Sequence, residues 1–276
     1  MQQNKFHKPI YKPKHNNTGK QNSESFLSAN QVCVYGKHPV FAAIANKKRK
    51  IYEILVSKNS EADLKNFINE NQINCASHLI KIVDNDHINS LLNTGATHQG
   101  FVLKTSPISL ISYNQFLDNI ADILPQNLPP LLILDNLTDP HNIGAIIRSS
   151  AAFGVLNIVV VERNCPVNSP VIAKSACGML EIVNLIAAQN LNNFLSDLKK
   201  LGYWRIGLDG DAKSDISEAK NYQPIALVLG SEGEGIRRLV KENCDLLVKI
   251  NTNSQVESLN ASNAAAIAMY EISKRQ

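Results

Sequence analysis

Short apolar runs alternate with helix-like patterns over the second half of the chain. The apolar runs lie at residues 131–134, 158–161, 182–185, 204–208, 225–229 and 246–250. Strands that are apolar along their whole length are buried on both faces, and the helices between them form parallel crossovers. The pattern therefore predicts one doubly wound α/β domain with a mainly parallel sheet over residues 131–276.

A smaller α/β pattern precedes this region and covers residues 31–105. Strand patterns at 51–56 and 100–104 alternate with helix patterns at 39–45, 61–69 and 87–92. They predict a small α/β domain near the lower end of domain size. Residues 106–130 contain four prolines and a short helix pattern at 113–120. Because proline removes a donor and stiffens the chain, we expect a semi-rigid linker rather than core.

The positive charge of the chain is concentrated at its start. Residues 1–30 hold five lysines and one glutamate, which accounts for the whole net charge of +4. The segment has few apolar residues, so we expect a disordered basic tail. It is either a solvated tail or an arm that attracts phosphate backbones. The basic stretch at residues 47–50 is likewise either a solvated loop or a phosphate contact.

Several protein classes are disfavoured by what the sequence lacks. No apolar run approaches the roughly 18 residues that span a bilayer, and no signal-peptide core is present, so we expect a soluble cytoplasmic protein. The five cysteines and seven histidines lack the spacings of disulfide frameworks or metal sites. The P-loop, the dinucleotide-binding Gly-x-Gly-x-x-Gly and the hydrolase Gly-x-Ser-x-Gly are absent as well.

The first motif follows the apolar run at 131–134. Asp139 and Pro140 are typical of a helix start, but Asn142 is an equally good N-cap. Arg148 lies six residues after Asn142, which is about 120° around a helix axis. If the helix begins before Asn142, the two residues share no face. A common site then requires Arg148 to face another protomer.

The second motif is the glycine-rich stretch after the run at 225–229. Gly230, Gly233 and Gly235 allow the backbone to adopt positive φ and to approach a ligand closely. Glu232 and Glu234 would repel an anion. The stretch is therefore either an ordinary tight turn or a site for a cationic or hydroxyl-bearing ligand.

The third motif opens the last helix pattern, at residues 258–274. Ser258 is a plausible N-cap on propensity alone. The helix is rich in alanine, and small side chains allow close packing. We expect this helix to pack against its own sheet and to make a self-contact in a dimer.

Taken in order, the three motifs resemble those of the SpoU (TrmH) family of RNA ribose 2′-O-methyltransferases. The shared features are Asn-x-Gly-x-x-x-Arg from Asn142, Gly-x-Glu-Gly-x-Gly from Gly230, and Ser-Leu-Asn from Ser258. The preceding domain, with Val-Tyr-Gly at 34–36 and Thr-His-Gln-Gly at 97–100, is similar to the substrate-binding domain of the branch that methylates 23S rRNA guanosines.

The resemblance implies a SPOUT-type parallel sheet with a trefoil knot, preceded by an RNA-binding domain. It implies a homodimer that uses S-adenosylmethionine, without a metal, to methylate a ribose 2′-hydroxyl of RNA, with a 23S rRNA guanosine as the expected target. The implied catalytic and ribose-binding residues are Asn142, Arg148, Glu232, Ser258 and Asn260. The implied cofactor-binding residues are Gly230, Ile250 and Leu259.

Two other interpretations stay open from the sequence. One keeps the chemistry and makes tRNA the substrate. The other is an RNA-binding or ribosome-assembly protein that is catalytically impaired. It is favoured by the loop Asn251-Thr252-Asn253-Ser254, because the family usually carries Pro-Met and then Gly there. Proline and glycine have special backbone preferences, so their loss alters a loop that is expected to hold the cofactor.

Overall fold

The architecture is known from a computed structural model, which describes residues 27–28, 30–161, 163, 165–253, 255 and 258–274. The predicted disordered basic tail, residues 1–30, falls almost wholly outside the described residues. The described chain forms two sheets, one of four strands and one of eight.

The smaller sheet comes first in the chain and has the order β1-β4-β2-β3. Its strands are β1 (Val32–Tyr35), β2 (Ile51–Ser57), β3 (Ile80–Val83) and β4 (Phe101–Thr105). The accompanying helices are α1 (Lys37–Ala45), α2 (Glu61–Glu70) and α3 (Asn85–Leu91). The predicted small α/β unit is therefore present, with two additional strands, β1 and β3. Both were missed because they are four-residue strands at the two edges of the sheet.

The larger sheet has eight strands in the order β10-β12-β9-β11-β6-β7-β8-β5, and every pairing is parallel. Its strands are β5 (Ile111–Ser112), β6 (Leu131–Leu134), β7 (Asn157–Val161), β8 (Asn184–Ala188), β9 (Trp204–Leu208), β10 (Ser214–Asp215), β11 (Ile225–Leu229) and β12 (Leu246–Lys249). The predicted parallel sheet is confirmed. The run at 182–185 was placed too early, since Ile182 is exposed in a turn after a short 3-10 helix, Met179–Glu181.

Helices cover both faces of the larger sheet, and each face has its own apolar cluster. They are α4 (Tyr113–Ile120), α5 (Pro140–Ala152), α6 (Pro170–Ser175), α7 (Leu191–Lys200), α8 (Arg238–Glu242) and α9 (Ala261–Ser273). None of the helices in the described part of the chain is long and apolar enough to cross a bilayer. The trefoil knot implied by the family resemblance stays a prediction.

The proline-containing segment 106–130 does more than connect the two sheets. Its β5 pairs with β8 at the edge of the larger sheet, and Phe116, Ile120 and Leu128 are buried in that sheet's core. Here the expectation of a linker without core residues was wrong. Prolines stiffen the ends of the segment, while the amphipathic α4 between them buries its apolar side.

A buried ion pair joins the two sheets. Arg49, after α1, donates through Nη2 to Glu181 Oε1 at 2.9 Å, and the two side chains are only 3% and 4% exposed. Asn46 Nδ2 donates to Glu181 Oε2 at 2.7 Å, and Arg49 Nη1 donates to the carbonyl of Ser106. Of the basic stretch at 47–50, Arg49 is therefore neither solvated nor available to phosphate, whereas the three lysines are exposed.

Substituting Glu181→Gln should lower the free energy of unfolding by about 3–5 kcal/mol, because it leaves the Arg49 guanidinium buried without a counter-charge. Chemical denaturation measures the change. The matched control is Asp63→Asn in the Lys37–Asp63 pair, whose side chains are 39% and 50% exposed. That control should cost less than about 1 kcal/mol. Equal effects of the two substitutions would contradict the structural role of the buried pair.

Candidate active site

The motif loops begin at one edge of the larger sheet because the strands that precede them end in register. Leu229 of β11 pairs with Leu134 of β6 on one side and with Leu208 of β9 on the other. Leu208 in turn pairs with Val248 of β12. Paired strands lie about 4.8 Å apart, so the loops after β6 and β11 start side by side.

The first loop leads into α5. Asp139 is the N-cap, since its side chain accepts a hydrogen bond from the backbone N–H of His141 at 3.0 Å, and Pro140 occupies the first turn. Asn142 is therefore a residue of the helix and not its cap. Its side chain is almost completely buried and points toward the second motif.

The second loop is a closed turn at the end of β11. Ser231 and Gly235 exchange two backbone hydrogen bonds, of 3.0 and 3.1 Å, which close the turn and leave Glu232 exposed at its tip. Gly233 and Gly235 both have positive φ, which L-residues rarely adopt. At Gly230, a Cβ atom would lie 2.0 Å from the carbonyl carbon of Gly235. The tight closure of the turn thus requires glycine at this position.

The third loop ends at Asn260, which is the N-cap of α9. Its Oδ1 accepts from the backbone N–H of Ser262 at 3.0 Å and from the Ser262 hydroxyl at 2.5 Å. The expectation that Ser258 caps this helix was wrong. Asparagine caps as well as serine does, and here the helix starts two residues later, which leaves Ser258 exposed.

The three loops converge on a cluster of Asn142, Glu232 and Asn260, called the amide–carboxylate cluster below. Asn142 Nδ2 donates to Glu232 Oε1. Asn260 Nδ2 donates to Glu232 Oε1 and to Asn142 Oδ1, both at 3.0 Å. With two amides bound at Oε1, the carboxylate is held in one orientation. Glu232 Oε2 receives no hydrogen bond from the described residues, so it has full acceptor capacity for a ligand.

Arg148 does not join the cluster within one chain. It lies on the exposed side of α5, where Nη1 contacts Cys177 Sγ at 3.7 Å. This placement follows from the helix start at Pro140, because a six-residue separation turns Arg148 about 120° away from Asn142. Of the two arrangements considered from the sequence, the one with Asn142 in a loop is therefore excluded.

The remaining predicted residues lie at the two ends of the third loop. Leu259 is half-buried directly before Asn260, and Ser258 is exposed beside it. Ile250 is half-buried after β12 and packs on the core. In the altered loop that follows, Asn251 Nδ2 donates to Asp215 Oδ2 at 2.7 Å, which anchors the loop to β10. Ser254 lies outside the described residues.

Two further residues position the site, and neither was assigned a role from the sequence. Asp135, fully buried at the end of β6, accepts hydrogen bonds from Nε and the backbone N–H of Arg237, at 2.7 and 2.9 Å. This pair fixes the far end of the glycine-rich turn to the first motif. Gly144 lets α6 approach α5, because a Cβ there would lie 2.5 Å from Ser175 Cβ. An acid directly after an apolar strand was the available signal for Asp135.

A parallel α/β sheet with polar loops meeting at its carboxyl edge defines a ligand-binding α/β enzyme fold. The family model described as the SpoU rRNA Methylase family matches residues 129–270, and a model for RNA 2′-O ribose methyltransferase substrate binding matches residues 33–110. The chain belongs to the SpoU rRNA methylase family.

Curated relatives align over most of the chain. It is 37% identical over 246 residues to the 23S rRNA (guanosine-2′-O-)-methyltransferase RlmB of Vibrio parahaemolyticus, which covers 86% of this chain and 94% of that protein. It is 31% identical over 239 residues to RlmB of Pseudomonas putida, with coverages of 86% and 94%. A Staphylococcus haemolyticus protein, whose name assigns it to the TrmH family of tRNA/rRNA methyltransferases, is 32% identical over 245 residues, with coverages of 89% and 96%.

Solved structures share the fold. The SpoU methyltransferase AviRb of Streptomyces viridochromogenes, in complex with the cofactor AdoMet, has a TM-score of 0.69 at 21% identity and covers 90% of this chain and 91% of its own. An rRNA methyltransferase of Sinorhizobium meliloti has a TM-score of 0.70 at 19% identity, with coverages of 89% and 87%. The SPOUT-type sheet expected from the motifs is therefore confirmed.

Substituting Gly230→Ala should lower the free energy of unfolding by about 1–3 kcal/mol, because the added methyl meets backbone atoms of Gly235 and Ile236 that cannot rotate away. Thermal and chemical unfolding measure the effect. The matched control is Gly210→Ala, where a Cβ meets no atom within 4 Å. The control should change stability by less than about 1 kcal/mol. A fully stable Gly230→Ala protein would contradict the closed turn.

Proposed function

We propose that this protein transfers a methyl group from S-adenosylmethionine to the 2′-hydroxyl of a guanosine ribose in 23S rRNA. The proposal is carried by the amide–carboxylate cluster, in which residues from all three family motifs bond to one another. It is supported by relatives that share 31–37% identity and are named for this reaction. Because rRNA is the substrate, we expect the enzyme to act in the cytoplasm.

The residues around the cluster fit the proposed cofactor. Its sulfonium is cationic and its ribose carries hydroxyls, and the exposed Glu232 carboxylate suits both groups. Gly230 is half-buried at the end of β11, so part of its backbone stays exposed, and the half-buried Ile250 and Leu259 offer apolar surface. We assign these three residues to cofactor binding. When bound, the cofactor supplies a methyl group that is already activated for transfer.

The protein must then align the ribose and remove one proton. Glu232 Oε2 is the group with free acceptor capacity, so we assign it to the ribose hydroxyl. Asn142 and Asn260 hold this carboxylate through Oε1, which fixes the direction in which Oε2 points. Ser258, exposed beside Asn260, is assigned to the ribose as well.

Arg148 is assigned to the developing alkoxide and a neighbouring phosphate. A guanidinium essentially never loses its proton, so it acts through charge and hydrogen bonds rather than as a base. Since Arg148 faces away from Asn142 in its own chain, we propose a homodimer in which it completes the partner's site. Support comes from exposed apolar side chains on α9, the helix packed on α5: Ile267 is 38% exposed and Tyr270 49%.

The alternative interpretations make different demands on the same site. The name of the Staphylococcus relative includes both tRNA and rRNA, so tRNA is a second candidate substrate. An impaired enzyme would require the altered loop to leave the cofactor unbound. The bond from Asn251 to Asp215 disfavours this, because it gives the loop an anchor that needs neither proline nor glycine.

We predict that the purified protein, given S-adenosylmethionine, methylates 23S rRNA at one ribose. The product is mapped by resistance to alkaline cleavage, since a 2′-O-methyl group blocks attack on the adjacent phosphodiester.

Glu232→Gln should lower kcat about 100-fold, because the amide accepts a proton poorly. Methylation of tRNA but not of 23S rRNA would instead support the interpretation in which tRNA is the substrate. Absence of cofactor binding in calorimetry, with RNA binding intact, would favour the impaired protein.

We predict that Arg148→Lys loses most turnover and keeps cofactor binding, because lysine retains the charge but lacks the planar fork. Full activity of this variant would exclude an essential guanidinium.

The dimeric site has its own test in mixed protomers. Asn142→Ala and Arg148→Ala proteins, each inactive alone, should regain about a quarter of wild-type turnover when co-expressed, because half the dimers are mixed and each has one intact site. The control replaces the Arg148→Ala chain with a chain carrying both substitutions, which should give no recovery. Equal activity of the two mixtures would place Arg148 outside the partner's site.

A further inference from the structure

The smaller sheet carries a cleft that the methyl-transfer site does not use. It lies between the carboxyl end of β2, the first turns of α3 and the turn before β4, and its volume is about 380 Å³. Sites for small ligands typically measure about 300–1,000 Å³. The cleft therefore has room for a group of the size of a nucleobase.

The chemistry of the cleft is polar and neutral. None of the described residues that line it is charged. Its polar side chains are those of Ser57, Asn59, Ser60, Asn85, Asn89, Thr97, His98 and Gln99. A phosphate would require cations, whereas a base edge presents neutral donors and acceptors that asparagine and glutamine amides match in both directions. The lining thus favours a base over a phosphate.

Part of the lining is held in place by internal hydrogen bonds. His98 Nδ1 accepts from the backbone N–H of Gly100 at 3.0 Å, so the neutral ring carries its proton on Nε2 and donates to Asn89 Oδ1 at 3.0 Å. Burial and the nearby Lys174 charge lower the pKa of His98, which favours this neutral form. Within the described residues, Asn89 Nδ2 and the side chains of Asn59 and Asn85 make no hydrogen bond.

The floor of the cleft is tightly packed. Gly100 has a φ of +81°, and a Cβ there would lie 2.3 Å from Ser60 Oγ and 2.4 Å from Ser57 Oγ. Ser57 Oγ donates to Ser60 Oγ at 3.0 Å, and Ser60 Oγ donates to the carbonyl of Gln99 at 3.3 Å. The floor of the cleft is therefore rigid, and the amides of Asn59, Asn85 and Asn89 are exposed around it.

A line along α6 runs from this cleft toward the first motif, with one side-chain contact at each end. Gln99 Oε1 accepts from Lys174 Nζ of α6 at 2.8 Å. Ser175, the next residue of α6, has its Oγ 3.4 Å from Nδ1 of His141, which directly precedes Asn142. An RNA strand that follows this line would meet Lys174 and the backbone of Lys37, which also bonds to Gln99 Oε1.

We propose that the cleft binds one unpaired base of the RNA substrate, near the nucleotide whose ribose is methylated. This inference rests on the proposed function for its RNA ligand. Unpaired bases are the groups that proteins read in single-stranded RNA, through hydrogen bonds to their edges. Asn59, Asn85 and Asn89 supply the uncommitted amide groups, and Lys174 at the rim attracts the adjoining phosphate.

The test compares Asn59→Ala/Asn85→Ala with a control, Asn66→Ala/Asn69→Ala, which removes two exposed amides of α2 outside the cleft. The probe is a 23S rRNA fragment that the wild-type protein binds. Loss of two hydrogen bonds should raise KM and the dissociation constant for RNA about tenfold or more. The kcat at saturating RNA, cofactor affinity and melting temperature should match those of the control.

Abasic substitutions along the fragment supply the second readout. Removing the base at one position other than the methylated nucleotide should weaken binding to the wild-type protein about tenfold. The same abasic substitution should not weaken binding to the Asn59→Ala/Asn85→Ala protein any further. An unchanged dissociation constant in that variant, or full additivity at every abasic position, overturns the inference. If the wild-type protein binds the RNA without methylating it, the proposed function fails while the binding comparison still decides the role of the cleft.

Discussion

The alignment of the parallel strand ends is the constraint on which the site depends. β6, β11, β9 and β12 finish level with one another, so the segments that follow them leave the sheet together. β6 and β11 are apolar and buried along their whole length, so the burial of their side chains holds both strands in this register. The burial that stabilises the fold thereby also fixes where three distant polar loops meet.

Much of the larger sheet could be predicted from apolar runs, because central parallel strands must be apolar throughout. The two-residue strands β5 and β10 could not, since edge strands this short bury too little to leave a pattern. The missed β1 and β3 are likewise short edge strands, of four residues each. Segment 106–130 was misjudged because its prolines are conspicuous in the sequence, whereas the apolar side of α4 becomes evident only when the sheet that covers it is known.

The residues of the site were predicted better than their local roles. Asn142, Glu232 and Asn260 were singled out by their motifs, and they lie together. Which residue begins each helix was beyond the sequence, because Asp, Asn and Ser cap almost equally well. Because α5 begins after Asp139, Asn142 and Arg148 both lie within the helix and face different directions. The role of Asp135 could not be predicted because its partner, Arg237, is about a hundred positions further along the chain.

The buried contact between Arg49 and Glu181 has a consequence for selectivity. It joins the two sheets through side chains that are almost fully buried, and this restricts movement of the smaller sheet relative to the carboxyl edge of the larger one. An RNA that binds both the cleft on the smaller sheet and the proposed methyl-transfer site must match the distance between them. Under the proposed function, this spacing would favour RNAs in which the two nucleotides have the matching separation.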